Sequence, residues 1–122
     1  MSDIDQLVQS YLAAWNETDA AARRAALAEV FAEDATYTDP LVSVRGLDGL
    51  DATIAAVQGQ FGGLMFSLAG AVDAHHDIAR FTWNLGPEGA EPLAVGFDVV
   101  VIGDDGRISQ VLGFLDKVPA GA

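Results

Sequence analysis

The sequence predicts an α+β domain, with helices first and a run of antiparallel strands after them. Three observations predict this. Apolar residues recur at helical spacing through the first part of the chain. A hairpin signal, Asp104-Asp105-Gly106, separates two β-prone runs near the other end. Glycine and proline cut the stretch between them into segments of strand length. The 122 residues suit a single domain, 1–122, and a hydrophobic fraction of 51% is ample for one core.

Ser2-Asp3-Ile4-Asp5 fits a capping box, with aspartate where glutamate is usual. Ile4, Leu7, Val8, Tyr11, Leu12 and Trp15 then form one apolar stripe. Thr18 or Asp19 can cap a second, alanine-rich helix that runs to about Phe31. Thr36-Tyr37-Thr38 reads as a short strand that Asp39-Pro40 stops. A third helix opens within 46–49, with Asp48 as its expected cap. It carries Leu50, Ile54, Val57 and Phe61 on one side and ends at Gly62-Gly63. Strands are expected over 64–72, 78–85, 93–102 and 107–116, and the tail from Pro119 is expected to fray.

Eighteen acidic against six basic residues give a net charge of −12. Nucleic acid and anionic membrane surfaces attract cationic patches, so both are excluded as partners; a neutral or cationic small ligand is favoured. Without cysteine there is no disulfide, zinc–thiolate site or thiol nucleophile. No apolar run approaches a membrane span, and the acidic start Met1–Gln6 is unlike a secretory signal. A cytoplasmic protein is the expectation.

Three polar side chains stand among apolar neighbours: Tyr11, Asp39 and Asp98. Asp98 interrupts the run 93–102, where an unpaired carboxylate is expensive to bury. Such a group has a partner, a raised pKa or a function. A two-residue hairpin loop within 103–106 pairs residues whose numbers sum to an odd value. Asp98 then shares its sheet face with Val111 and Gly113, and not with Gln110, Phe114 or Asp116. The strand 93–102 is apolar on both faces. One face is expected to meet the helices or line a pocket, and the other to meet a second subunit in a homodimer.

Each residue also has a plainer reading. Asp39 could cap local N–H groups, and Tyr11 could be an amphipathic core residue. Tyr37, two residues before Asp39, is either a second phenol on the same side or a packing residue. His75-His76 is expected in a solvated turn, with no further ligands to make a metal site. Arg80 falls on the face opposite Trp83, where Asp116 or an acid of a second subunit would pair with it. The segment 46–50 is a helix entrance and lacks the lysine of a phosphate loop.

The stretch Tyr11-Leu-Ala-Ala-Trp-Asn, then Phe31 through Thr36-Tyr37-Thr38-Asp39-Pro40, Gly46, Phe97-Asp98 and Asp105-Gly106-Arg107-Ile108 resembles the NTF2-like superfamily over nearly the whole chain. Within it, the likeness is to SnoaL-like polyketide cyclases and ketosteroid isomerases. The resemblance implies a cone-shaped fold, with N-terminal helices packed in a strongly curved, mostly antiparallel sheet around a pocket. It also implies dimerisation through the convex sheet face. By motif, Asp39 matches the isomerase base, Tyr11 the helix-1 tyrosine, and Asp98 the acid kept protonated to donate to an enolate oxygen. No metal or organic cofactor is implied. Trp83, Tyr37, Phe81 and Val111 are the expected substrate-binding residues.

The departures are specific. The segment 53–61 lacks the tyrosine that supports the oxyanion site in bacterial ketosteroid isomerases. Trp83 stands where they have a smaller residue, which implies a ligand smaller than a steroid. Epoxide hydrolases of this superfamily carry an arginine two residues before the strand acid, and this chain has Gly96. The expected function is therefore abstraction of a proton next to a carbonyl, by an isomerase or an aldol-type cyclase acting on a small hydrophobic compound. The competing reading is a dimeric module that binds such a ligand without catalysis; a hydrolase ranks third.

Overall fold

The structure, a computed structural model, describes residues 3–87 and 89–118. Helix α1 spans Asp3–Asn16 and buries Val8, Tyr11, Leu12 and Trp15 of the predicted stripe, together with Ala14; Ile4 and Leu7 of that stripe are half-buried. Asp3 and Asp5 sit in its first turn, where the helix dipole favours them. The proposed cap at Ser2 and the expected frayed tail lie outside the described residues. Helix α2 spans Ala20–Val30, and the Asp19 carboxylate accepts from the Ala22 amide at 2.9 Å.

α2 ends where expected, with Phe31 as its C-cap donating its N–H to the Leu27 carbonyl, and the same residue opens strand β1, Phe31–Thr38. The strand is longer than its β-prone core because it pairs in parallel with the chain near Ile108, an interaction no local pattern announces. The three-residue strand β2, Ser43–Arg45, was also not expected, and it forms by pairing back on β1. Helix α3, Gly46–Gln60, has Arg45 at its N-cap and no side-chain cap. Asp48 does not cap it. It sits inside the first turn and pairs with Arg24. Strands β3 (Met65–His75), β4 (Ile78–Gly86), β5 (Ala94–Ile102) and β6 (Ile108–Lys117) complete the chain within a few residues of expectation.

The six strands form one sheet in the order β2-β1-β6-β5-β4-β3. Only the β1–β6 pair is parallel. The registers shift at extra residues in β1, β3 and β6, and Gly70 in the β3 irregularity has φ of +88°. Such bulges bend and twist a strand, and the three helices pack against one face of the sheet. Helix α1 lies on β3, α3 on β1, and α2 bridges the two helices.

Burial alternates along β5, with Ala94, Gly96, Asp98 and Val100 facing inward. The hairpin parity holds by an unexpected route. The connection runs from Gly103 to Arg107, and Ile102 pairs with Ile108, an even sum. A bulge beside Val101 restores the odd sum, so Asp98 lies opposite Gly113 and Val100 opposite Val111. Arg80 pairs with Asp73 at 3.0 Å and not with Asp116, because Asp73 is its direct cross-strand neighbour.

Candidate active site

A cavity of about 390 Å³ opens between the helices and the inner sheet face. Six aromatic rings line it: Tyr11, Trp15, Tyr37, Phe61, Phe66 and Trp83. Asp39 and Asp98 are the charged residues among the described lining. Both lie beside β6, and each is hydrogen-bonded to its own tyrosine.

The deep pair is Tyr11 and Asp98. The Tyr11 hydroxyl donates to Asp98 Oδ2 at 2.8 Å, and the residues are 1% and 3% exposed. Burial pushes the Asp98 carboxyl up to about 6. The Tyr11 and Trp83 donors oppose that rise, and the negative charge of Asp39 adds a smaller upward push. Burial and the Asp98 charge also hold the Tyr11 hydroxyl well above its ordinary range, so it keeps its proton. The Trp15 indole N–H is buried with no hydrogen-bond partner among the described residues, although it lies close enough to the Tyr11 oxygen to weaken that rise.

The outer pair is Tyr37 and Asp39. The Tyr37 hydroxyl donates to Asp39 Oδ2 at 2.7 Å, and burial holds this phenol protonated too. Asp39 Oδ1 accepts from the Leu41 and Val42 amides at 2.8 and 3.0 Å. Both readings of Asp39 are therefore realised. It caps local N–H groups, as an aspartate before a proline turn does, and it lines the cavity.

Gly113 separates the pairs. A Cβ there would fall 2.8 Å from Asp98 Oδ1 and 3.3 Å from Asp39 Cβ. Both carboxylate side chains therefore converge over a residue that has no side chain. Gly96 does similar service: a Cβ would fall 1.9 Å from Trp83 Cζ2, so the indole lies over the bare strand. Trp83 thereby forms a wall of the cavity, and an arginine at position 96 would displace it.

Tyr11, Asp39, Asp98, Trp83 and Tyr37 all line the cavity. Phe81 and Val111 do not, contrary to expectation. Parity puts them on the right face, but depth puts them under the floor. Phe81 lies opposite Asp98 and is covered by the Tyr11 ring at 5.6 Å; Val111 is fully buried in the core. Phe66 was overlooked. The Asn16 side chain bonds both its N–H and C=O, at 2.7 and 2.9 Å, and so holds this unpaired edge of β3 against α1. Gly113 could have been found as the glycine opposite Asp98 in the predicted register. Arg23 left no such signal. It is buried, bonds Asp51, Gln58 and the Glu17 carbonyl, and ties α2 to α3; Gln58 in turn holds the Trp15 carbonyl at 2.9 Å.

Among the described residues no group of three or more His, Asp or Glu side chains could hold a metal. His75 and His76 lie at the β3–β4 turn, outside the cavity lining. No described helix is long and apolar enough to cross a membrane.

Residues 8–111 match the SnoaL-like domain family. The chain is 42% identical to a SnoaL-like family protein from Agrobacterium tumefaciens proposed to be an isomerase. That match covers 91% of this chain and 95% of that one, with a TM-score of 0.86. A proposed SnoaL-like polyketide cyclase from Jannaschia sp. CCS1 is 19% identical, with 95% and 90% covered and a TM-score of 0.70. An NTF2-like protein of unknown function from Cytophaga hutchinsonii is 12% identical, with 95% and 92% covered and a TM-score of 0.66. No curated protein matches the sequence significantly. The chain belongs to the SnoaL-like family and has the NTF2-like fold.

Proposed function

From that membership we propose that the protein is a cofactor-independent enzyme that enolises a small, hydrophobic carbonyl compound. The product would be a double-bond isomer or an aldol-type ring. One observation carries the reading: two carboxylates, each with a protonated tyrosine, converge over Gly113 in an otherwise apolar cavity.

Asp39 takes the proton from the carbon beside the carbonyl, and the C–H electron pair moves to the oxygen as an enolate. Asp98 in its protonated form and Tyr11 donate hydrogen bonds to that oxygen. For this the substrate oxygen replaces Asp98 Oδ2 as the acceptor of the Tyr11 hydroxyl. Return of the proton from Asp39 to a conjugated carbon gives the isomer; attack of the enolate carbon on a second carbonyl, whose oxygen takes up that proton as its C=O π bond opens, gives the ring. The Agrobacterium relative, proposed to be an isomerase, and the Jannaschia protein, proposed to be a polyketide cyclase, support this class of chemistry.

The runner-up is a non-catalytic pocket for a hydrophobic ligand. It is favoured by the three hydrogen bonds that already occupy both oxygens of Asp39. An epoxide hydrolase reading lacks its arginine, since none stands among the described lining residues. We further propose a cytoplasmic homodimer. Its support is the outer sheet face, where Leu112 and Phe114 are exposed beside half-buried Val99 and Phe97.

The test is deuterium exchange into a panel of small unsaturated ketones and diketones. Asp39→Asn should lower the rate on the order of 10³-fold while ligand binding persists. Equal rates for wild type and variant, neither above the rate in buffer, would promote the binding-module reading; equal rates above it would remove Asp39 as the base.

A further inference from the structure

All six basic residues of the chain are engaged elsewhere. Arg23 pairs with Asp51, Arg24 with Asp48, Arg45 with Asp34, Arg80 with Asp73, Arg107 with Asp105, and Lys117 with Glu91. None of these carboxylates lines the cavity, and none of these cations does. Asp98, 3% exposed, and Asp39 are thus left with neutral donors only. A buried carboxylate is stabilised most by a cation, and none of the described residues supplies one here.

The walls fit a cation as well. Ring faces attract ammonium ions, and a desolvated site strengthens that attraction. Trp15, Tyr37, Phe66 and Trp83 form a chain of rings with neighbouring centroids 5.1–5.6 Å apart around one side of the cavity. A volume of about 390 Å³ accommodates one aromatic ring with a short alkyl arm.

We propose that this cavity also binds small aryl-alkyl ammonium ions, with the cation between Asp98 and Asp39 and the ring against the Trp15–Phe66–Trp83 wall. The proposal shares the pocket with the enolisation reading but not its chemistry. The two ligand classes then respond to pH in opposite directions. An enolisable ketone needs the Asp98 proton; an ammonium ion needs it gone. The titratable groups facing Asp98 are Tyr11 from α1, Tyr37 from β1 and Asp39 from the turn after β1. β4 presents Trp83 and Phe81 to it, and β6 presents Gly113, so no histidine, lysine or arginine intervenes. Since both phenols keep their protons, Asp98 itself sets the switch, near pH 6.

The probes are phenethylammonium, the near-isosteric neutral 2-phenylethanol, the anion phenylacetate and the ketone 4-phenyl-2-butanone. Binding is read by tryptophan fluorescence and calorimetry at pH 5 and pH 8. Phenethylammonium should bind on the order of ten-fold more tightly than the alcohol at pH 8 and lose most of that advantage at pH 5, with phenylacetate the weakest. Asp98→Asn should remove the advantage at pH 8. If that variant does not fold, Asp39→Asn should reduce the advantage at pH 8. Equal affinities for ammonium and alcohol at pH 8, or an advantage that survives both substitutions, overturns the inference. Binding of the ketone without the ammonium ion overturns it while leaving the enolisation reading standing. Binding of none of the four removes both.

Discussion

The two tyrosine–aspartate pairs are chemically identical and differently housed. Tyr11–Asp98 is built from a helix and the centre of a strand, and both residues are almost wholly buried. Tyr37–Asp39 is built from one strand end and the turn after it, and Asp39 stays half-buried. Asp98 receives side-chain donors alone, so burial dominates and its carboxyl is pushed up to about 6. Asp39 receives two backbone amides as well, whose positions the turn fixes. One sequence thereby produces an acid whose proton state follows pH near neutrality and a carboxylate held in place by main chain. In the proposed reaction, housing and not residue type would separate the oxyanion donor from the base.

The hydroxyl deletions probe this contrast most strongly. Tyr11→Phe should lower enolisation on the order of 10²–10³-fold, since it removes a preorganised donor. It should also raise the Asp98 pKa further, because the Tyr11 hydrogen bond now opposes the rise. Tyr37→Phe should cost roughly ten-fold, because Asp39 keeps two backbone donors, each hydrogen bond to a charged group being worth about 1.5–3 kcal/mol. Exchange kinetics and NMR titration of the aspartate carboxyls measure both. Equal losses would erase the distinction between the pairs.

Stability against pH is the next test. Asp98 holds its proton up to about pH 6 when folded, against an ordinary value of 3.8. Between about pH 4 and 6 the folded state therefore binds more protons than the unfolded chain, and stability falls as pH rises. The cost is complete above pH 6 and amounts to about 3 kcal/mol. Asp98→Asn should relieve it, so its stability relative to wild type should improve from pH 4 to pH 8 in urea titrations. A flat difference would mean that Asp98 is not desolvated.

Gly113→Ala tests whether the pairs must converge. Its methyl group would crowd Asp98 Oδ1 and Asp39 Cβ together. Destabilisation of about 1–3 kcal/mol is expected from overpacking. A loss of roughly 10²-fold in rate should accompany it, the scale of a 1 Å displacement at a reacting group. An active, unaltered variant would show the pairs to be independent.

The smallest effect should come from the opposite side of the sheet. Phe114→Lys places a charge on the outer face, where Phe114 is 56% exposed. It should separate the proposed dimer in sedimentation at micromolar concentration. Monomer stability should move by only about 0.5 kcal/mol, as for most surface substitutions, and both aspartates should titrate unchanged.

The helices were legible because their signals are local. The apolar stripe of α1 and the Asp19 cap each lie within one helix's reach. The sheet face of Asp98 was legible because side chains alternate with period two, and a bulge happened to preserve that parity. What stayed hidden depended on partners far along the chain. Phe31 became a strand residue through Ile108, β2 through β1, and Phe66 a cavity wall through Asn16. Parity assigned Phe81 and Val111 a face but not a depth, and the Tyr11 ring covers Phe81.

The sequence by itself determined the α+β order, the acidic balance, and that Tyr11, Asp39 and Asp98 were the polar residues out of place. Composition and short-range periodicity suffice for these. Only the tertiary structure decided that Asp39 and Asp98 meet over Gly113, each with its own tyrosine and, among the described residues, no cation. That arrangement joins α1, β1, β5 and β6, segments distant in sequence, and the desolvation that raises the Asp98 carboxyl exists only once they have packed.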